Sequence, residues 1–63
     1  MLRYEEIIKE YLQANNVKLL SMQDNRILVE IEKEQKIYRV EKLDNSLIIK
    51  NVYSDLLYQI ELR

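Results

Sequence analysis

The 63-residue chain contains no cysteine, histidine, glycine, proline, threonine, phenylalanine or tryptophan. Each absence closes a route. Without cysteine or histidine there is no disulfide and no zinc staple, no thiolate nucleophile, no Ser–His arrangement and no His-ligated metal. Without glycine the usual phosphate-cradling loops cannot be built. Charge of either sign is also missing in excess: ten Lys and Arg against eleven Asp and Glu leave a net charge of −1. Nucleic-acid binders usually carry a basic surplus to neutralise phosphates. No stretch approaches the roughly eighteen apolar residues of a membrane span. The N-terminus, Met-Leu-Arg-Tyr-Glu-Glu, lacks the apolar run of a signal peptide. A cytoplasmic protein with no cofactor, no metal and no membrane partner is the expectation.

Sixty-three residues are near the lower limit for folding alone, since a domain of this size buries only about 60% of its unfolded surface. With staples excluded, stability has to come from a well-patterned core or from association with a second copy. The 48% hydrophobic content is ample for a core and too high for a disordered segment. One small α+β domain over residues 1–63 is expected. Ile, Lys, Asn and Tyr, whose codons are AT-rich, supply 24 of the 63 residues. That skew suggests an AT-rich genome, that of a low-GC bacterium or of a mobile element such as a phage.

What the chain does have is a recurrence of short polar pairs: Asn15-Asn16, Asp24-Asn25, Glu34-Gln35, Asp44-Asn45 and Ser54-Asp55. Stretches rich in Ile, Val, Leu and Tyr separate them. Strands of about eight residues joined by two-residue turns produce this pattern, which predicts a five-stranded antiparallel meander over 17–23, 26–33, 36–43, 47–53 and 56–62. Ahead of it, residues 3–14 read as an amphipathic helix. Tyr4, Ile7, Ile8, Tyr11 and Leu12 share one face, and Glu5, Glu6, Lys9, Glu10 and Gln13 fill the other. Asn15-Asn16 suits the helix end, because Asn tolerates the left-handed conformation.

Taking each polar pair as a turn sets Leu20 opposite Val29, Ile31 opposite Tyr38, Val40 opposite Ile49, and Ile49 opposite Ile60. Side chains alternate across a sheet. One face then gathers Leu20, Met22, Ile27, Val29, Ile31, Tyr38 and Val40 from the first three strands, with Leu47, Ile49, Tyr53, Leu56, Tyr58, Ile60 and Leu62 from the last two. The helix stripe should cover this face. On the opposite face Glu30 would meet Arg39 in an opposite-charge pair, with Glu32, Glu41, Lys50, Gln59 and Glu61 around it.

That second face also carries Val17, Leu19, Leu28, Ile37, Ile48, Val52 and Leu57. Seven aliphatic residues on one side of so small a sheet form a candidate interaction surface. Two sheets packed back to back through it would make a homodimer. A different protein could dock there, or a curled sheet could bury part of the set within the monomer. The first and last strands lack Pro and Gly to blunt their edges, so edge-to-edge pairing is a second dimer geometry.

Catalytic chemistry is left to carboxylates. Glu30, Glu32, Glu34 and Glu41 sit on an open sheet or a turn beside Arg39, and read as a solvated salt-bridge lattice. The five tyrosines fall on the core face or the helix stripe, where packing explains them. A helix followed by five short antiparallel strands is similar in element order to the Sm-like RNA-binding proteins. No stretch matches the Sm motif, and no glycine marks the sharp strand bends of those barrels, so no residue is carried over. The expected function is a small non-enzymatic regulatory or adaptor protein, homodimeric, acting by protein–protein contact. The alternative is a nucleic-acid-binding module, Sm-like or another small β-domain, using a cluster such as Lys18, Lys36, Arg39 and Lys50.

Overall fold

A computed structural model describes residues 4–62. It has one helix, α1 (Tyr4–Ala14), and five strands: β1 (Lys18–Gln23), β2 (Arg26–Ile31), β3 (Glu34–Leu43), β4 (Ser46–Lys50) and β5 (Leu56–Glu61). The strands form one open antiparallel sheet in the order β1-β2-β3-β4-β5. This is the α+β meander expected from the polar-pair spacing. Position 3, which the sequence places at the helix start, lies outside the described residues.

The helix forms where the periodicity puts it. Glu5 and Glu6 sit in its first turn, where carboxylates complement the helix dipole. Ile8 and Leu12 are fully buried, and Tyr4 and Tyr11 pack against the same core. Ile7 turns partly outward. Tyr11 reaches across to β5 and meets Tyr58 edge to face, with ring centroids 5.8 Å apart.

Asn16 ends the helix in the left-handed region, at φ 63°. The Asn16 N–H donates to the Gln13 carbonyl at 3.1 Å, and the Val17 N–H to the Leu12 carbonyl at 2.8 Å. These two bonds define a Schellman cap, which brings the residue after the left-handed position against the helix's last turn. Val17 therefore packs in the core beside Leu12, at 3% exposure. The interaction surface loses its first expected member here.

Leu19 moves with it. Leu19 lies opposite Val29 and Ser21 opposite Leu28, so Leu20 is the extra residue of a β-bulge. A one-residue slip exchanges the faces of everything before it. Leu19 thus packs against the core where Leu20 was expected, and Lys18 points to the outer side opposite Glu30.

Two further registers differ from expectation, and both shift by an even number of residues. The β2–β3 turn is at Glu32-Lys33, not Glu34-Gln35, so Ile27 rather than Ile31 faces Tyr38. Both turn residues have positive φ, 50° and 71°, as a type I′ turn requires. Glu and Lys accept this conformation at a cost of about 1 kcal/mol each. The gain is on the outer face, where Leu28 pairs with Ile37. A turn at 34–35 would set Leu28 against Glu41, Ile37 against Glu32, and Lys33 against Lys36.

Between β4 and β5 the connection is a five-residue loop, 51–55, rather than a Ser54-Asp55 hinge. Leu47, not Ile49, faces Ile60, and Ile49 faces Tyr58. Lys50 pairs with Leu56, which leaves Leu57 as a second bulge residue. The odd loop and the odd bulge cancel, so Tyr58 and Ile60 keep their inward direction. Tyr53 and Leu56, expected in the core, belong to the displaced segment and are exposed.

The core joins Ile8, Leu12 and Val17 to Ile27, Val29, Tyr38, Val40, Leu47, Ile49 and Ile60. Burial pushes the Tyr38 phenol above its ordinary pKa of 10.0, and the neighbouring Tyr58 adds to the rise.

Candidate functional site

The face away from the helix carries the site, and its pairing defines rows that cross the strands. Leu28 faces Ile37 in one row. In the next, Arg26 faces Arg39, which faces Lys50. In the third, Glu41 faces Ile48, which faces Gln59. The expected Glu30–Arg39 pair does not form, because Glu30 faces Gln35.

Of the seven residues expected on this surface, Val17 and Leu19 belong to the core side. Ile48 does lie on the outer face, yet it is only 8% exposed and stands apart from the main core. Its cover comes from polar neighbours. Glu41 and Gln59 flank it across the sheet, and Ser46 and Lys50 flank it along β4. Lys50 Nζ contacts Glu41 Oε1 at 3.3 Å, and Gln59 Nε2 donates to Ser46 Oγ at 3.4 Å. These diagonal contacts frame Ile48 with the aliphatic stems of long polar side chains.

Leu28, Ile37, Val52 and Leu57 remain. Leu28 is half-buried, Ile37 is 53% exposed, and Val52 and Leu57 are exposed. A cleft of about 360 Å³ brings Ile37, Val52 and Leu57 together with Tyr38 and Tyr53. It exists because β4 stops early. β3 runs from Glu34 to Leu43, but its pairing with β4 ends at Arg39 opposite Lys50. From Asn51 the chain leaves the sheet, and the space beside residues 34–38 stays open.

One side chain organises the wall of this cleft. Asn51 Oδ1 accepts hydrogen bonds from the N–H groups of Tyr53 and Asp55, at 2.9 and 3.0 Å, and Asn51 Nδ2 donates to Asp55 Oδ2 at 3.3 Å. The Asn51 backbone adds an N–H bond to the Asp55 carbonyl and accepts from the Ser54 N–H, both at 3.0 Å. An Asn that bonds its own following backbone builds a turn in place of a strand. This is the signal the pair-spacing argument missed: Asn51 turns the chain three residues before Ser54-Asp55.

Arg39 ties the sheet to that loop, donating from Nη2 to Ser54 Oγ at 3.0 Å. Its Nε is buried and has no hydrogen-bond partner among the described residues. Arg26 stands directly opposite. The Val40 N–H bonds the Asn25 carbonyl at 2.7 Å, which makes Arg26–Arg39 a non-hydrogen-bonded pair, the type in which side chains approach most closely. Like charges set opposite each other are destabilising. Conflict of this kind is expected at sites kept for a partner.

The basic cluster expected from the sequence is thus only partly assembled. Lys18, Arg39 and Lys50 share the outer face, joined by Arg26. Lys36 alternates to the other side at the end of β3, lines the cleft, and contacts Glu34 at 3.7 Å. Glu30, Glu32, Glu34 and Glu41 do not converge, and among the described residues no three acidic side chains gather as metal ligands would. No described helix is long and apolar enough to cross a membrane. Compared with known proteins, the chain matches no family model, no curated protein and no solved structure.

Proposed function

We propose that this chain is a small non-enzymatic regulatory or adaptor protein that acts by protein–protein contact through the cleft side of its outer sheet face. The observation that carries the reading is the cleft itself. Ile37, Val52 and Leu57 are exposed together beside a loop already held in shape by Asn51. Exposed apolar groups on a preformed surface favour association, because little ordering is left to be lost on binding. A homodimer packed back to back has less to use than the sequence suggested, since Val17 and Leu19 face the core and Ile48 is covered. The high share of Ile, Lys, Asn and Tyr, residues with AT-rich codons, supports an origin in a phage or another mobile element.

Photo-crosslinking tests this reading. A benzophenone side chain at position 57 should trap a protein partner in the source cells, while the same group at Lys9 on the helix should trap none. No adduct at position 57, or equal yields at both positions, contradicts it.

Nucleic-acid binding is the second reading, favoured by the Arg26–Arg39–Lys50 row with Lys18 on the same face. It predicts retention on DNA or RNA that weakens steeply as salt rises. No retention at low ionic strength removes it.

A further inference from the structure

We propose that the unpaired edge of β3 accepts an extended segment of another protein as an added strand, and that this segment alternates an apolar residue with an acidic one. The inference rests on the outer-face reading above and adds the mode of contact and the partner's chemistry.

The edge follows from the hydrogen-bond alternation. The Val40 N–H is committed to Asn25, on the β2 side. Even-numbered residues of β3 therefore direct their backbone groups towards β2, and odd-numbered ones towards β4. Arg39, Glu41 and Leu43 find β4 there. Gln35 and Ile37 do not, because β4 ends at Lys50. An added strand would supply the partners these N–H and C=O groups lack, which is how exposed sheet edges commonly recruit peptides.

The chemistry of the slot selects the side chains. A residue placed opposite Ile37 would lie on the outer face with Val52 and Leu57, and an apolar group fits there. Its neighbour in the segment would point to the other side, towards Lys36, the one charged residue lining the cleft. Lys36 is held only by an exposed contact with Glu34, which restrains it weakly. Arg39 stands where the slot closes, bonded to a neutral hydroxyl. Lys36 therefore favours a carboxylate on its side of the strand, whereas Arg39 belongs to the outer face with Ile37.

A second copy of this chain fits less well. Strand pairing between two copies over the free stretch, residues 34–38, is centred on Lys36 and sets it against its own counterpart. Like charges in direct opposition disfavour that arrangement.

The test is a titration followed on backbone amide resonances. The probe is a capped pentapeptide alternating Asp and Val. Controls are the Lys/Val pentapeptide and an Asp/Val pentapeptide N-methylated on alternate residues. The Asp/Val probe should shift Gln35, Ile37 and Val52, and should slow hydrogen exchange at Ile37. Both controls should bind at least tenfold more weakly. Lys36→Gln, with folding checked by circular dichroism, should weaken the probe several-fold.

No response to the Asp/Val probe at millimolar concentration overturns the inference. So does equal binding of the Lys/Val peptide, or of the N-methylated peptide, which cannot complete a ladder. Shifts of Gln35 and Ile37 on concentrating the protein alone would assign the edge to a second copy, and would overturn it too. Adducts from position 57 alongside silent amides at Gln35 and Ile37 refute strand addition and leave the outer-face reading standing. Absence of those adducts refutes the reading itself.

Discussion

The two faces of one sheet, made from the same alternating residues, are finished in opposite ways. On the inner face every apolar row meets a second layer: Ile8 and Leu12 of the helix, Val17 of its cap, and Tyr11 against Tyr58. No second layer lies over the outer face among the described residues. There Ile48 is shielded by the polar neighbours around it, whereas Ile37, Val52 and Leu57 are left uncovered at the one place where a strand is missing. Alternation alone does not decide whether an aliphatic residue is core. What decides is the presence of a layer above it, or of long polar stems beside it.

Substitutions at matched isoleucines should show the largest contrast. Ile49→Ala removes a fully buried side chain and should cost about 2–5 kcal/mol. For a domain of this size that is a large part of a total stability of about 3–9 kcal/mol. Ile37→Ala on the outer face should cost under about 1 kcal/mol, as exposed positions usually do. Urea unfolding of the two variants measures both, and equal losses would erase the distinction between the faces.

Next in size is the loop wall. Asn51→Ala deletes three side-chain hydrogen bonds and should lower stability by about 1–2 kcal/mol, given a net value near 1 kcal/mol or less for exposed bonds. Amide exchange should quicken at Tyr53 and Asp55 while β1 and β2 stay protected. A smaller change of opposite sign is expected at the cationic row. Arg39→Met removes a buried unpartnered donor and a like-charge pair while keeping the stem. It should leave stability unchanged or raise it by up to about 1 kcal/mol, read as a shift of the urea midpoint. A clear loss would mean that the Ser54 contact outweighs the conflict.

The smallest effect is confined to alkaline pH. The folded state holds the Tyr38 proton more tightly than the unfolded chain, so this contribution is complete below pH 10 and is lost as pH rises from there through the raised folded-state value. Urea midpoints should fall as pH is raised past about 10 in the wild type, and less so in Tyr38→Phe. An identical decline in both would assign the effect to other groups.

The element order, the helix stripe and most of the inner face were legible in the residues, because periods of 3.6 and 2 report directly on burial. Of the seven residues expected on the outer face, Leu28 and Ile37 lie there, Leu57 is an exposed bulge residue at its edge, and Val52, expected in a strand, is exposed in the 51–55 loop. The errors cluster where one residue was added. The Schellman cap at Asn16 and the bulge at Leu20 turn Val17 and Leu19 inward. Asn16 signalled the cap but not that Val17 would be drawn inward by it, and the bulge leaves no composition signal in a chain without glycine. The two-residue displacement of the β2–β3 turn was invisible for another reason, since Glu32, Lys33, Glu34 and Gln35 are all polar and give no punctuation. It was also harmless to the faces, because even slips preserve them. The cleft depends on Asn51 acting through its side chain, and nothing in the spacing of polar pairs distinguishes that Asn from a strand residue.

Native-state hydrogen exchange along β3 tests the open edge most directly. Protection should alternate: slow exchange at Lys36 and Tyr38, whose N–H groups point to β2, and fast exchange at Gln35 and Ile37, whose N–H groups meet no strand. Protection at Ile37 equal to that at Tyr38 in the free protein would show that the edge is already filled, and would contradict this account of the outer face.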